Sequence, residues 1–413
     1  MRAPHVSVFS FAICLLSVWE ACKGRETKNE EMIKGMFVFG SSLVDNGNNN
    51  YARNSSARAD YLPYGIDFPL GPSGRFSNGR NPIDILGDLL KLPGYIPVFA
   101  DPRTKGARIL HGVNYASGGS GILDETGPVA DNDACDLHRF REGGVTSLNR
   151  QIQNFQKTTM PELRRQLGCT HRRLSSHLSK YLFVVGTGGN DYLLNYFLRD
   201  SKSSGDPMNL HNLASSLQIT QQDSRQTTLQ DFTNTLITTF SKQLKWLYGL
   251  GGRKFVLLSV QVMGCLPVVR EALSLANGSC AEPLNEAALL FNHQLKSTVD
   301  DIKHQMPAAR LAFVNSYKII KDIINNPTPR GFKETSKACC DVSGSKTGGG
   351  IMCKKGGKAC SHRNSRVFFD GLHPTDAVNT WIAKKAFASN LQTEVYPMNV
   401  KQLARLNTGR TKA

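Results

Sequence analysis

Asp370 and His373 stand three residues apart in VFFDGLHPTDAVN, just ahead of a helix-forming run. A carboxylate three residues before an imidazole can accept its Nδ1–H and fix the ring's tautomer. Nε2 is then free to take a proton from a hydroxyl. Two hydroxyls, Ser41 and Ser42, are adjacent in FVFGSSLVDNGNNN, where a short apolar run breaks into Gly40 and an Asn/Gly-rich turn. A serine activated in this way attacks an acyl carbonyl and forms an acyl-enzyme, and that chemistry also needs donors for the oxyanion. Asn190, in VVGTGGNDY, offers a side-chain amide, and Gly118, Gly119 and Gly121, in VNYASGGSG, let backbone N–H groups approach a ligand closely. Each signal has a plainer reading by itself: a helix-capping serine, a Gly-Asn turn, glycine for tight turning, a chance Asp-x-x-His. Four in one chain, each supplying a different part of an acyl-transfer site, outweigh those readings.

Such residues must be exposed while something rigid holds their backbone, and strand ends meet both demands. Five runs rich in Val, Phe, Leu or Ile lie at 36–39, 111–115, 181–185, 254–260 and 309–315. Continuous apolar runs of this length suit strands covered on both faces. Between them lie helical patterns, among them 229–250, which stops at Gly249, Gly251 and Gly252, and 286–305, which stops before Pro307. Alternation of strand and helix predicts an α/β fold, a parallel sheet of about five strands between helices, with the active site beyond the strands' carboxyl ends.

The chain has 413 residues, 40% hydrophobic and 20% charged, a globular composition. Arg2 followed by the uncharged run 7–18 (SVFSFAICLLSV) reads as a secretory signal peptide over 1–24, too short to span a membrane. No later segment reaches transmembrane length, so we expect a secreted, extracellular protein with no transmembrane segment. Ten cysteines, less Cys14 and Cys22 of that leader, leave eight: Cys135, Cys169, Cys265, Cys280, Cys339, Cys340, Cys353 and Cys360. That even set suits four disulfides of unspecified pairing. A zinc site from the last four and His362 is disfavoured, since no C-x₂-C spacing occurs. Sequons mark Asn54 and Asn277 as glycosylation sites on exposed loops. The net charge of +17 is spread along the chain, with one cluster over 346–366 and no nucleic-acid motif. We read it as a solvated surface suited to anionic cell-wall polymers or membranes, with no nucleic-acid partner. Residues 25–413 read as one domain, with surface insertions near 201–226 and 339–363.

Taken together with PYGIDFPLGPSGRFSNGRN at 63–81, GVNYASGGSGIL at 112–123, GTGGNDY at 186–192, DGLHPTDA at 370–377 and YPMNV at 396–400, the serine block resembles that of the plant-type GDSL esterases/lipases of the SGNH hydrolase superfamily. The resemblance covers roughly 36–406. It implies a three-layer, flavodoxin-like fold distinct from the α/β-hydrolase fold. In agreement, a G-x-S-x-G elbow is missing, since Ser120 in GGSGI lacks the last glycine. Position by position, the resemblance implies Ser42 as nucleophile, His373 as base and Asp370 as its partner. The oxyanion donors it implies are the backbone N–H groups of Ser42 and Gly119 and the amide of Asn190. Counting from Asn114 selects Gly119 over Gly118. One departure stands out: Ser41 replaces the family's aspartate, so the block reads GSSL. That aspartate is not the one assigned beside histidine, so activity is expected to survive.

The resulting expectation is an esterase/lipase that hydrolyses carboxylic esters of small-molecule or lipid substrates, an acylated cell-wall polymer being one further candidate, with no metal or organic cofactor needed. Two alternatives remain open at this stage: a protein that binds acyl lipids or polysaccharides with little turnover, and a transacylase.

Overall fold

Every residue of GMFVFG is buried, as a strand covered on both faces requires, and Gly35–Gly40 forms strand β1 of the computed structural model. The structure describes residues 33–52, 55–127, 144–197, 228–276, 278–343 and 350–407. The leader 1–24, the stretch 201–226, Cys135, Asn54 and Asn277 lie outside the described residues. Strands β2 (Tyr181–Gly186), β3 (Lys254–Leu258) and β4 (Arg310–Val314) follow in parallel, with Gly40 beside Gly186 and Gly186 beside Leu258. A short β5, Val395–Tyr396, adds an antiparallel edge, giving the order β1-β2-β3-β4-β5.

The run 111–115 does not become a regular strand, which corrects one of the five expected. It lies alongside β1: Met36 and Val38 N–H donate to His111 and Val113 C=O, and Tyr115 N–H donates to Val38 C=O. Only Asn114 pairs formally, bridging Val38 and Val98. Gly112 explains the break. Its φ of +106° leaves the extended region, and a Cβ there would meet Met36 O at 1.8 Å.

Helices flank the sheet in two groups. Leu148–Asn154, Leu229–Gly249 and Glu282–Asp301 pack together, as do Pro82–Leu89, Ser316–Asn325, Asp376–Ala388 and Val400–Arg405. The helix expected over 286–305 starts earlier, because Pro283 is tolerated in a first turn. Phe37, Phe155 and Phe183 are fully buried with ring centroids 4.9–5.7 Å apart, and each contributes roughly 1.5–3 kcal/mol.

Three disulfides form among the described residues: Cys265–Cys280, Cys339–Cys360 and Cys340–Cys353. The expected fourth would have to join the two cysteines left over, Cys169, which is half-buried and free among the described residues, and Cys135, which lies outside them. Cys339, Cys340 and Cys353 enter a buried cluster with Tyr64, Phe76 and Phe369, so the bridges fasten the segments around 339 and 353 to the core.

Candidate active site

β1 ends at Gly40, whose φ of +136° turns the chain out of the sheet, and a Cβ there would strike Gly186 O at 2.1 Å. Ser41 N–H donates to Gly186 C=O, and Ser41 C=O accepts from Val44 N–H, so the backbone of Ser41 fixes the turn that presents Ser42. Gln151 brackets Gly40 from the neighbouring helix. Its Oε1 accepts the Gly40 N–H at 2.7 Å, and its Nε2 donates to Gly40 C=O at 2.9 Å and Thr146 C=O at 2.8 Å.

The distant Asp370–His373 turn closes on that serine. His373 Nε2 lies 2.7 Å from Ser42 Oγ, and His373 Nδ1 lies 2.8 Å from Asp370 Oδ2. A carboxylate only accepts, so Nδ1 carries the proton and Nε2 accepts from the hydroxyl. Asp370 is fully buried and His373 is 4% exposed. Asp370 Oδ1 accepts the N–H groups of Leu372 (2.8 Å) and His373 (2.7 Å), while Oδ2 accepts the Tyr64 hydroxyl at 2.6 Å. Burial first, and then the charge of Asp370, push the Tyr64 phenol well above its ordinary value, so it stays a donor. Phe76 covers the imidazole at 4.9 Å between centroids.

The remaining predicted residues arrive on neighbouring loops. Ser42, Asn190 and His373 line one cavity of about 60 Å³, together with Ser41 and Leu372. One Asn190 Nδ2 proton goes to Ser120 C=O at 2.9 Å, leaving its second for a ligand. Gly119 does not line that cavity, but it precedes the Ser120 carbonyl that receives this bond. Gly118 N–H is spent on Asp45 at 3.0 Å, whereas Gly119 N–H has no hydrogen-bond partner among the described residues.

Two buried carboxylates hold these loops together. Asp45 accepts N–H groups from Gly47 and Asn48 of its own loop and from Gly118 of the glycine loop. Asp191 accepts from Ile122 and Leu123 N–H and the Thr126 hydroxyl. Burial raises both to about 6, against the lowering effect of these N–H donors. Asp45 and Asp191 sit inside the quoted sequence blocks, and Tyr64 sits in PYGIDFP, yet nothing in their spacing announced these contacts. Gln151 carried no signal at all. Two further cavity residues were also missed: Thr187, whose buried hydroxyl has no partner among the described residues, and Gln261, whose Nε2 holds Leu372 C=O while its Oε1 has none there.

A serine, an imidazole and a buried carboxylate in hydrogen-bond series, beside an amide with a spare proton, have the parts for acyl transfer. Comparison with known proteins agrees with that chemistry. The profile of the GDSL-like lipase/acylhydrolase family matches residues 36–386. The chain belongs to this family. Among its relatives are GDSL esterase/lipases of Arabidopsis thaliana. One is 38% identical over 395 residues, covering 95% of this chain and 98% of its own. A second is 39% identical over 370 residues, covering 90% and 91%, and a third is 41% identical over 382 residues, covering 91% and 88%. Membership makes ester hydrolysis the function class of this GDSL chain, and its mostly parallel five-stranded sheet between helices fits the family's three-layer fold.

Proposed function

We propose that this GDSL protein is a secreted serine esterase that cleaves carboxylic esters of lipid or other acylated substrates through an acyl-enzyme. The observation that carries the reading is the Ser42–His373–Asp370 hydrogen-bond series in the cavity that Asn190 also lines. His373 Nε2 takes the Ser42 proton as Oγ attacks the acyl carbon, and Asp370 balances the imidazolium. The developing oxyanion accepts from the N–H groups of Ser42 and Gly119 and from the second Asn190 Nδ2 proton. His373 then protonates the departing alcohol. Water, deprotonated by the same imidazole, cleaves the acyl-enzyme and releases the acid.

A cavity of about 60 Å³ holds the reacting carbonyl and little else, so discrimination among acyl chains and alcohols falls to the surface around it. Ser41, on its wall, alters that surface while its backbone keeps the turn. Three disulfides among the described residues, the plant relatives and the N-terminal apolar run support an extracellular location. The sequons at Asn54 and Asn277 are proposed glycosylation sites.

Residues 25–413 expressed in a secretory host, assayed on esters of rising acyl length beside Ser42→Ala, test the reading. Turnover is expected to fall at least about a thousandfold in that variant. Activity that survives the substitution refutes the assignment of Ser42.

A further inference from the structure

A second cavity, of about 510 Å³, is far larger than the one at Ser42 and falls within the roughly 300–1,000 Å³ common for small-molecule sites. It adjoins the same catalytic turn. Gly371 lines it, whereas Leu372 and His373 line the cavity at Ser42, and Val268 N–H donates to Gly371 C=O at 3.1 Å.

Arg270 lines this second cavity and is only 6% exposed. Neither its Nε nor its Nη1 has a hydrogen-bond partner among the described residues, and its Nη2 reaches only the disulfide sulfur of Cys280, at 3.2 Å. Sulfur is a weak acceptor, and arginine keeps its charge even where burial lowers its pKa. Glu334, the carboxylate that acts on Arg270 electrostatically, is itself occupied by the N–H and hydroxyl of Ser336 and by Arg366 at 3.8 Å. A buried guanidinium short of acceptors is costly unless an anion completes it. Lys337 adds an exposed cation to the lining and Glu271 an exposed carboxylate, while Pro267, Val268, Leu275 and Val342 make much of it apolar.

We propose that this cavity binds an aliphatic carboxylate, the uncompensated charge of Arg270 attracting the head and the apolar wall taking the chain. A buried cation short of acceptors favours an anionic head, and the apolar lining favours a hydrocarbon tail. That such acids arise at Ser42 rests on the esterase reading; the binding itself does not. The site would then hold the released acid against the turn that carries Asp370 and His373.

Calorimetric titration of the mature chain with octanoate, and with octan-1-ol as the uncharged control, tests the proposal. Saturable one-site binding of octanoate is expected, weakened roughly ten- to a hundredfold by Arg270→Met and by removal of the charge in octan-1-ol. Ala338→Trp, which fills the half-buried wall and leaves Arg270 in place, is expected to abolish it. Absence of saturable binding overturns the proposal, and so does binding that survives Ala338→Trp. Should Arg270→Met fail to fold, the Ala338→Trp titration decides alone. No turnover is read, so an inactive Ser42 and an empty second cavity give separate outcomes.

Discussion

Tyr64→Phe removes a single oxygen from a fully buried ring packed against Tyr61, Phe76 and Phe369, at centroid distances of 5.4, 6.2 and 5.7 Å. Two strong hydrogen bonds go with that oxygen, the one given to Asp370 Oδ2 at 2.6 Å and the one accepted from Cys353 N–H at 3.0 Å, besides a weak contact with Met352 Sδ at 3.6 Å. A bond to a charged group is worth roughly 1.5–3 kcal/mol and a neutral one about 1 kcal/mol, so folding stability should drop by about 2–4 kcal/mol. The effect on turnover is smaller, because Asp370 Oδ1 keeps the Leu372 and His373 N–H donors and the imidazole stays in place. Oδ2 is left with the imidazole alone, and a carboxylate held less firmly orients the ring less well. We expect kcat on a short-chain nitrophenyl ester to fall roughly three- to thirtyfold with KM little changed. Thermal unfolding measured beside steady-state kinetics separates the two effects. A variant that loses the expected stability yet keeps full kcat would refute the reasoning, leaving Tyr64 a packing residue.

Asn190→Ala should lower kcat roughly 10²–10³-fold, by the loss of one oxyanion donor, without weakening Ser42 labelling by acylating inhibitors to zero. Gln151→Leu strands the buried N–H of Gly40, whose C=O keeps the Ser117 N–H and the Ser120 hydroxyl, so chemical denaturation should show a loss of about 1–3 kcal/mol, with activity falling because the serine turn loosens. Stability should also rise as pH is lowered from 7 towards 5. Asp45 and Asp191 titrate at about 6 when folded against 3.8 otherwise, so between those values the folded state binds more protons, and the gain disappears as pH climbs through 6. Asp101 and Glu162, held down to about 2 by arginine partners, act oppositely but only at lower pH, below about 4.5. Unfolding midpoints across pH 4.5–7.5 check the direction.

Four of the five expected strands are present because their apolar runs must be buried on both faces, and nothing local opposes that. The run 111–115 looked the same, but Gly112 sits against Met36 and takes a positive φ, a close approach that only the assembled sheet reveals. Ser42, His373 and Asp370 were legible because their chemistry is carried by residue type and, for the last two, by spacing on one turn. Ser42 and His373 are 331 positions apart, so their 2.7 Å contact depends on the resemblance and the fold, not on periodicity. The supports were not legible. Gln151 is an ordinary amide in a polar helix until its side chain meets Gly40, and Tyr64 becomes a partner of Asp370 only across 306 positions. Cysteine counting suggested four bridges without their pairing, and the three that form among the described residues join cysteines 13 to 21 positions apart, a pairing that only the fold selects.

The most direct test of the account is a fluorophosphonate probe applied to the folded chain, with the adduct mapped by mass spectrometry. The account predicts one adduct, on Ser42, that His373→Ala suppresses and that neither Ser41→Ala nor Arg270→Met removes. An unlabelled Ser42 in correctly folded protein, or an adduct on Ser41, would contradict it.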